Sequence, residues 1–347
     1  MKWLKTLSPV LLLLFVSCIQ HQDEVPQIVK ESESVFNFRP AYAKGFIVEN
    51  DTLILRNPKD TNEVYQKLAL EKKTRLVLQS TTHVPYIEKI NPELIIGCNF
   101  TDRIKSPLTK KRIENKQVEE MLSGSHFDYE KLIDMSPDAI LVYPFDTKEI
   151  KVLEEMKLNH ILCFEYLEET LLARAEWITF FGAISGELER SKSIFEGIEK
   201  RFNAIQPGSI QDTILINLPF GDQWNVPTGI SATSELITKS GYHYPWKDNN
   251  SEGNISVSKE EIIELGMIAD TWIIFAGRKE GFSMNDLIAE DPLYANFTSV
   301  KNGKVVFCNT MHTPYFEEAN LEPDVMVQNL ISTASTGEKS KYFVLLK

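Results

Sequence analysis

Short apolar runs separated by amphipathic stretches set the rhythm of this chain. FIVE (46–49) and TLILR (52–56) flank Asn50-Asp51, a pair suited to a two-residue hairpin turn. RLVLQ (75–79), ELIIG (93–97), AILVYPF (139–145) and HILCF (160–164) then read as buried strands, with helices predicted at 83–90 and about 147–157. Strands alternating with helices pair in parallel through right-handed crossovers, so this half predicts a Rossmann-like lobe. From about 170 to 205 the period changes. Leu171, Ala175, Ile178 and Phe181, then Ile194, Ile198 and Phe202, recur at helical spacing, interrupted only by Gly182, Gly186 and Gly197. One long helix is predicted there, ended by Pro207-Gly208. A second alternating region follows, with strands at 213–219, 271–276, 304–308 and 342–346 and helices at 231–240, 258–266, 283–289 and 322–334. The expected fold is α/β: two Rossmann-like lobes joined by a single long helix.

The first residues speak to compartment. Lys2 and Lys5 precede a short apolar run, Leu11 to Val16, that stops at Ser17-Cys18. The run is too short to span a bilayer and reads as a cleavable signal. A cysteine directly after a small residue at its end points to lipid attachment at Cys18, although Phe15 stands where leucine is usual. Ordinary cleavage with Cys18 incidental is the alternative. Residues 19–44 are polar and aperiodic and read as a tether. The expected organisation is a signal peptide at 1–18, the tether at 19–44, a lobe at 45–169, the linking helix at 170–206 and a second lobe at 207–347.

Charge then excludes a class of partner. The formal net charge is −12, and losing Lys2 and Lys5 with a leader makes it more negative, so nothing favours nucleic acid. Besides Cys18, Cys98, Cys163 and Cys308 each end an apolar run without a CxxC pattern, which fits buried small hydrophobes better than zinc or redox chemistry.

Catalytic signatures are absent. There is no GxSxG elbow, since Ser125 lies in LSGSH and Ser231 in TGISA. There is no phosphate loop, dinucleotide turn or HExxH. The six histidines are scattered, and His83, His126 and His312 would have to converge in space to hold a metal. Asp248, Asn250 and Glu252 alternate before Gly253 as in a calcium loop, but Lys259 stands where its bidentate glutamate belongs. No enzyme activity, cofactor or bound metal is therefore expected. An exported hydrolase on a two-lobed scaffold and a surface lipoprotein without a ligand are the competing readings.

Five segments together resemble a known family, the substrate-binding proteins of ABC importers for iron complexes and vitamin B12. They are YAKGFIVENDTLILRNP, RLVLQSTTHVPYIEKI, SGSHFDYEKLIDMSPDAILV, the helical run 170–205 and DPLYANFTSVKNGKVVF. The resemblance covers about 41–335 and is similar in order and spacing rather than in any single motif. It implies a periplasmic-binding-protein fold with a helical backbone, in a monomeric protein anchored by lipid to a membrane of the cell envelope. The implied ligand is an iron–siderophore complex, or else a corrinoid or heme. The implied partner is an ABC permease dimer with its ATPase. Glu130 and Glu235 match the positions where family members carry one exposed glutamate per lobe for docking between permease arginines.

In such folds the cleft is built by loops at the carboxyl ends of strands in both lobes. Thr82 and His83 follow the first strand of the main sheet, Phe100 the second, and Tyr143 ends AILVYPF. Across the cleft the candidates are Trp224, Trp246, Arg278, His312 and Tyr315. Aromatic rings there suit a corrin or catechol face, and Arg278 suits an anionic complex. Trp224 and Arg278 head the expected contacts.

Overall fold

The hairpin predicted at Asn50-Asp51 forms as the dipeptide requires. In this computed structural model, which describes residues 35–347 apart from 209, 210 and 222, both residues have positive φ, 50° and 57°. That is the primed turn matching strand twist, and it joins β1 (Phe46–Glu49) to β2 (Thr52–Arg56). A third antiparallel strand, β3 (Val64–Ala69), completes a small sheet. The Gln66 amide reaches from β3 to His160 O at 2.9 Å and to Leu162 N at 3.0 Å, covering an otherwise bare sheet edge.

That edge belongs to the first lobe's sheet. Its strands are β4 (Leu76–Leu78), β5 (Ile95–Cys98) and β6 (Glu119–Glu120), then, after a small hairpin of β7 (Leu122–Ser123) and β8 (His126–Phe127), β9 (Ala139–Val142) and β10 (His160–Leu162). The order is β10-β9-β4-β5-β6, all parallel. The chain runs outward one way from β4 and then the other way from β9, so a topological switch lies between these two strands. Ligands of open α/β sheets bind at the carboxyl side of such a point. Helices α1 (Val84–Ile90), α2 (Pro107–Glu114), α3 (Tyr129–Met135) and α4 (Thr147–Glu155) connect the strands. Side chains of Ser106, Asp128 and Asp146 accept the backbone N–H of Thr109, Lys131 and Glu149 in the first turns of α2, α3 and α4.

The predicted long helix is helical but in two pieces, α5 (Leu171–Ser185) and α6 (Leu188–Asn203). Gly186 at φ 73° is the left-handed cap that ends α5. The chain then folds back so closely that a Cβ at Gly182 would lie 1.9 Å from Ser191 Oγ. Two glycines thus convert one periodic run into a hairpin of helices. Every residue of α5 except Arg174 is buried, as befits a helix apolar on all sides and packed between two lobes. Trp177 and Phe180 hold β1 through Phe46, with ring centroids 5.3 and 5.5 Å away.

The second lobe carries a separate sheet of order β11-β14-β15-β16: β11 (Ile214–Ile216), β14 (Thr271–Ala276) and β15 (Val305–Asn309) are parallel, and β16 (Val344–Leu345) is antiparallel. A small ribbon pairs β12 (Trp224–Pro227) with β13 (Asn254–Val257). Around them lie α7 (Ala232–Lys239), α8 (Lys259–Ile268), α9 (Met284–Glu290), α10 (Thr298–Lys301), α11 (Tyr315–Glu318) and α12 (Pro323–Thr336). The fold is thus two-lobed α/β, as expected.

One boundary differs. The leader and Cys18 lie outside the described residues. The expected tether reaches too far, because the compact body begins at Phe36 rather than Gly45. Phe38 pairs with Val48, and the Glu176 carboxylate accepts the backbone N–H groups of Ala41, Tyr42 and Ala43 at 2.8, 2.6 and 2.8 Å. Polar composition concealed this because much of the segment's attachment is through its backbone, with only Phe36, Phe38, Tyr42 and Ala43 packing on or in the core. Cys98, Cys163 and Cys308 are buried and unpaired, with burial pushing each thiol up.

Candidate functional site

A cavity of about 330 Å³ lies between the lobes, near the start of α5. Its first-lobe wall follows directly from the switch point. Thr82, with Ser80 hydrogen-bonded to it, comes from the turn after β4, and Tyr143 and Phe145 come from the turn after β9. Glu165 and Tyr166 follow β10. Ser80 caps the turn 81–83 by accepting Thr82 N at 3.1 Å, which brings the hydroxyls together. Tyr143 Oη lies 2.5 Å from Ser80 Oγ and 3.1 Å from Thr82 Oγ1, and Thr82 Oγ1 donates to Glu165 Oε1 at 3.1 Å. Beneath them the wholly buried His83 sets Nε2 3.3 Å from Glu165 Oε2. Burial pushes the Glu165 carboxyl up, but the neighbouring His83 and the hydrogen bond from Thr82 outweigh it and hold it below its ordinary value.

Aromatic rings line the same wall. Tyr143 and Phe145 are stacked at 5.0 Å and 16°, with Tyr166 edge-on to Tyr143 at 5.6 Å. Burial, then the Glu165 charge, pushes the phenols of Tyr143 and Tyr166 up to about 12, so both remain neutral hydroxyls at physiological pH. Arg174, the single residue of α5 that is not buried, enters at the base. Its Nε donates to Glu168 O at 3.0 Å and its Nη2 to Tyr166 O at 2.8 Å, which fixes the guanidinium.

The second-lobe wall is plainer. Ala232, Thr233 and Leu236 of α7, Tyr315 and Phe316 of α11, and Ala319, Asn320 and Met326 close the space. Two carboxylates tie this lobe to the rest. Glu317 accepts Lys105 N at 3.0 and 2.8 Å, and Glu235 accepts Leu171 N, the amide that opens α5, at 2.6 Å.

Of the expected contacts, Thr82, Tyr143 and Tyr315 line this cavity, and His83 lies under its floor. The others need correction. Trp224 is 6% exposed, donates Nε1–H to Ile216 O at 2.9 Å and stacks on Trp272, lining a different cavity of about 380 Å³. Arg278 is held in a two-point pair by Glu290, at 2.6 and 3.1 Å. Trp246 packs edge-on against Tyr244 at 5.6 Å, and Phe100 stacks under the Arg103 guanidinium at 4.3 Å. His312 is exposed beside the carboxyl-terminal segment. Strand-end position alone nominated them, and Trp224, Arg278, Trp246 and Phe100 each pack against another partner instead.

Glu165, Tyr166 and Arg174 were missed. The first two follow a strand end, HILCF, and were open to the same rule. Arg174 was signalled as a lone cation in an apolar helix. Glu130 is exposed in the first turn of α3. Glu235 is half-buried rather than exposed, and burial pushes its carboxyl up. No group of three or more metal-ligating side chains occurs among the described residues.

A lined cleft between two α/β lobes packed on a buried helix is the architecture of a solute-binding protein, and the family comparison agrees. The periplasmic binding protein model matches residues 87–310, well over half of the chain, and the chain belongs to that family. The family binds small molecules for ABC transporters and is not enzymatic. An uncharacterized lipoprotein of Methanocaldococcus jannaschii is 26% identical over 290 residues, covering 78% of this chain and 68% of the relative. Among solved structures, the ABC-type Fe3+-hydroxamate transport system of Saccharomonospora viridis aligns with a TM-score of 0.56 at 16% identity, covering 78% of this chain and 95% of that one. The periplasmic heme binding protein HutB of Vibrio cholerae aligns with a TM-score of 0.56 at 15% identity, covering 75% and 98%.

Proposed function

We propose that this protein captures an iron–siderophore or related iron complex and delivers it to an ABC permease, held at a cell membrane through a lipid on Cys18. The observation that carries the reading is the cavity itself. Stacked Tyr143 and Phe145, edge-on Tyr166 and Arg174 present a broad aromatic surface with hydrogen-bonding hydroxyls at its foot. Binding sites of this size, roughly 300–1,000 Å³, take ligands by apolar enclosure and a few placed polar groups. The hydroxamate-transport and heme-binding structures of like fold, and the lipoprotein relative, support it. A corrinoid or heme is the alternative ligand within the family.

Glu130, exposed on the first lobe, is proposed to meet a permease arginine. Glu235 does the same for the second lobe only by loosening its hydrogen bond to Leu171. Docking there is therefore coupled to the start of α5 and to the cleft that Leu171 lines. Purification from the native host followed by a visible spectrum tests the ligand assignment. A chelate, corrin or heme band that leaves with the extracted ligand is expected. A colourless protein with no thermal shift from any metal complex would favour a surface lipoprotein without a ligand.

A further inference from the structure

We infer that the cleft selects a metal complex of low net charge, neutral or monocationic, such as a ferric trihydroxamate, over a polyanionic complex such as a ferric tris-catecholate. This rests on the reading of the cleft as an iron-complex site and adds which class enters it.

The cavity lining contains two charged residues, Arg174 and Glu165, of opposite sign. Each is already matched. Glu165 faces His83 at 3.3 Å and accepts from Thr82 at 3.1 Å. Arg174 spends Nε and Nη2 on the carbonyls of Glu168 and Tyr166, so the two-point edge that best grips an anion is occupied. Its charge also acts on the half-buried Glu235, pulling that carboxyl down against burial. Behind the second-lobe wall, the Glu317 carboxylate is buried next to Phe316. The groups around the space therefore sum to zero or slightly below it, inside a chain of net charge −12.

Complexes of one metal differ widely in charge. Three hydroxamates each carry one negative charge and cancel Fe3+, whereas three catecholates each carry two and leave a trianion. A trianion placed here meets the single Arg174 cation, whose side edge is already spent and whose end N–H groups alone remain, and two or three carboxylates. Like-charge juxtaposition of that kind excludes partners strongly. A neutral complex loses nothing and keeps the aromatic wall and the hydroxyls of Thr82 and Tyr143.

The test is titration of the full-length protein with five probes: ferric desferrioxamine (monocationic), ferrichrome and cyanocobalamin (neutral), hemin (anionic) and a ferric tris-catecholate (trianionic). At least one neutral or monocationic probe is expected to bind 100-fold or more tighter than the tris-catecholate. Thr233→Arg, which adds a cation to the lining, is expected to narrow that gap at least tenfold. Phe316→Lys, at a 58% exposed position, serves the same purpose if the first variant does not fold. Binding of the tris-catecholate or hemin within tenfold of the best neutral probe, or better, overturns the charge selection and leaves the iron-complex reading intact. Binding of none of the five overturns both.

Discussion

The two walls of the cleft are built differently. The first-lobe wall is a hydrogen-bonded unit in which Ser80, Thr82, Tyr143 and Glu165 fix one another over a buried histidine. The second-lobe wall consists of short helical segments presenting Ala232, Leu236, Phe316 and Met326, with no comparable network among them. A wall whose polar groups are locked in advance loses little freedom on binding and can discriminate. An apolar wall of adaptable side chains supplies enclosure. On the proposed function, the first lobe specifies and the second encloses.

The largest expected effect comes from dismantling the specifying wall. Glu165→Ala leaves buried His83 without the carboxylate it packs against and the Thr82 hydroxyl without its acceptor, and should destabilise the protein by about 2–3 kcal/mol in urea unfolding. A change below about 1 kcal/mol would show that the pair is not the wall's keystone. Next is affinity. Tyr143→Ala should weaken binding of the preferred complex by roughly 1–3 kcal/mol, while Phe316→Ala should cost about 1 kcal/mol or less. Calorimetry giving the reverse order would invert the division of labour. Smaller still, Arg278→Ala should leave affinity unchanged, because Arg278 is paired with Glu290 away from the cleft. Its stability cost should stay within about 1 kcal/mol.

The smallest expected effect is on pH dependence, where the two walls run in opposite directions. Burial raises the carboxyls of Glu235 and Glu317 against the pull of the Leu171 and Lys105 amides. A raised carboxyl binds its proton more tightly when folded. Its stabilising contribution is therefore full below the ordinary value of 4.5 and lost as pH rises through the raised one. Glu165 is lowered, so its contribution is present above 4.5 and lost as pH falls through its folded value. A Glu235→Gln, Glu317→Gln variant should accordingly lose less stability than the native protein between pH 4.5 and neutrality. Parallel pH curves for the two would remove these carboxylates from the account.

Much of the fold was legible because it is written in local periodicity. The parallel strands, the primed turn at Asn50-Asp51 and the apolar run of α5 each follow from residues close in sequence. The break at Gly186 was less legible, since a glycine in a helical run stops it only when the chain finds a partner to fold back on, here Ser191 against Gly182. The site was legible only in outline. Strand-end position found Thr82 and Tyr143, yet it promoted Trp224 and Arg278 equally. Their fates were decided by Trp272 and Glu290, which are distant enough in sequence that no periodicity ties them together. Glu165 and Arg174 gain their meaning from long-range partners in the same way.

The central claim, that ligand occupies the cleft between the lobes, is tested most directly by hydrogen–deuterium exchange with and without a bound ferric trihydroxamate. New protection is expected at 80–83, 143–146, 165–174 and 315–320, with the first-lobe segments protected most. Protection concentrated instead at Pro219, Gly221, Trp224 and 290–297, around the cavity that holds Trp224, would contradict it.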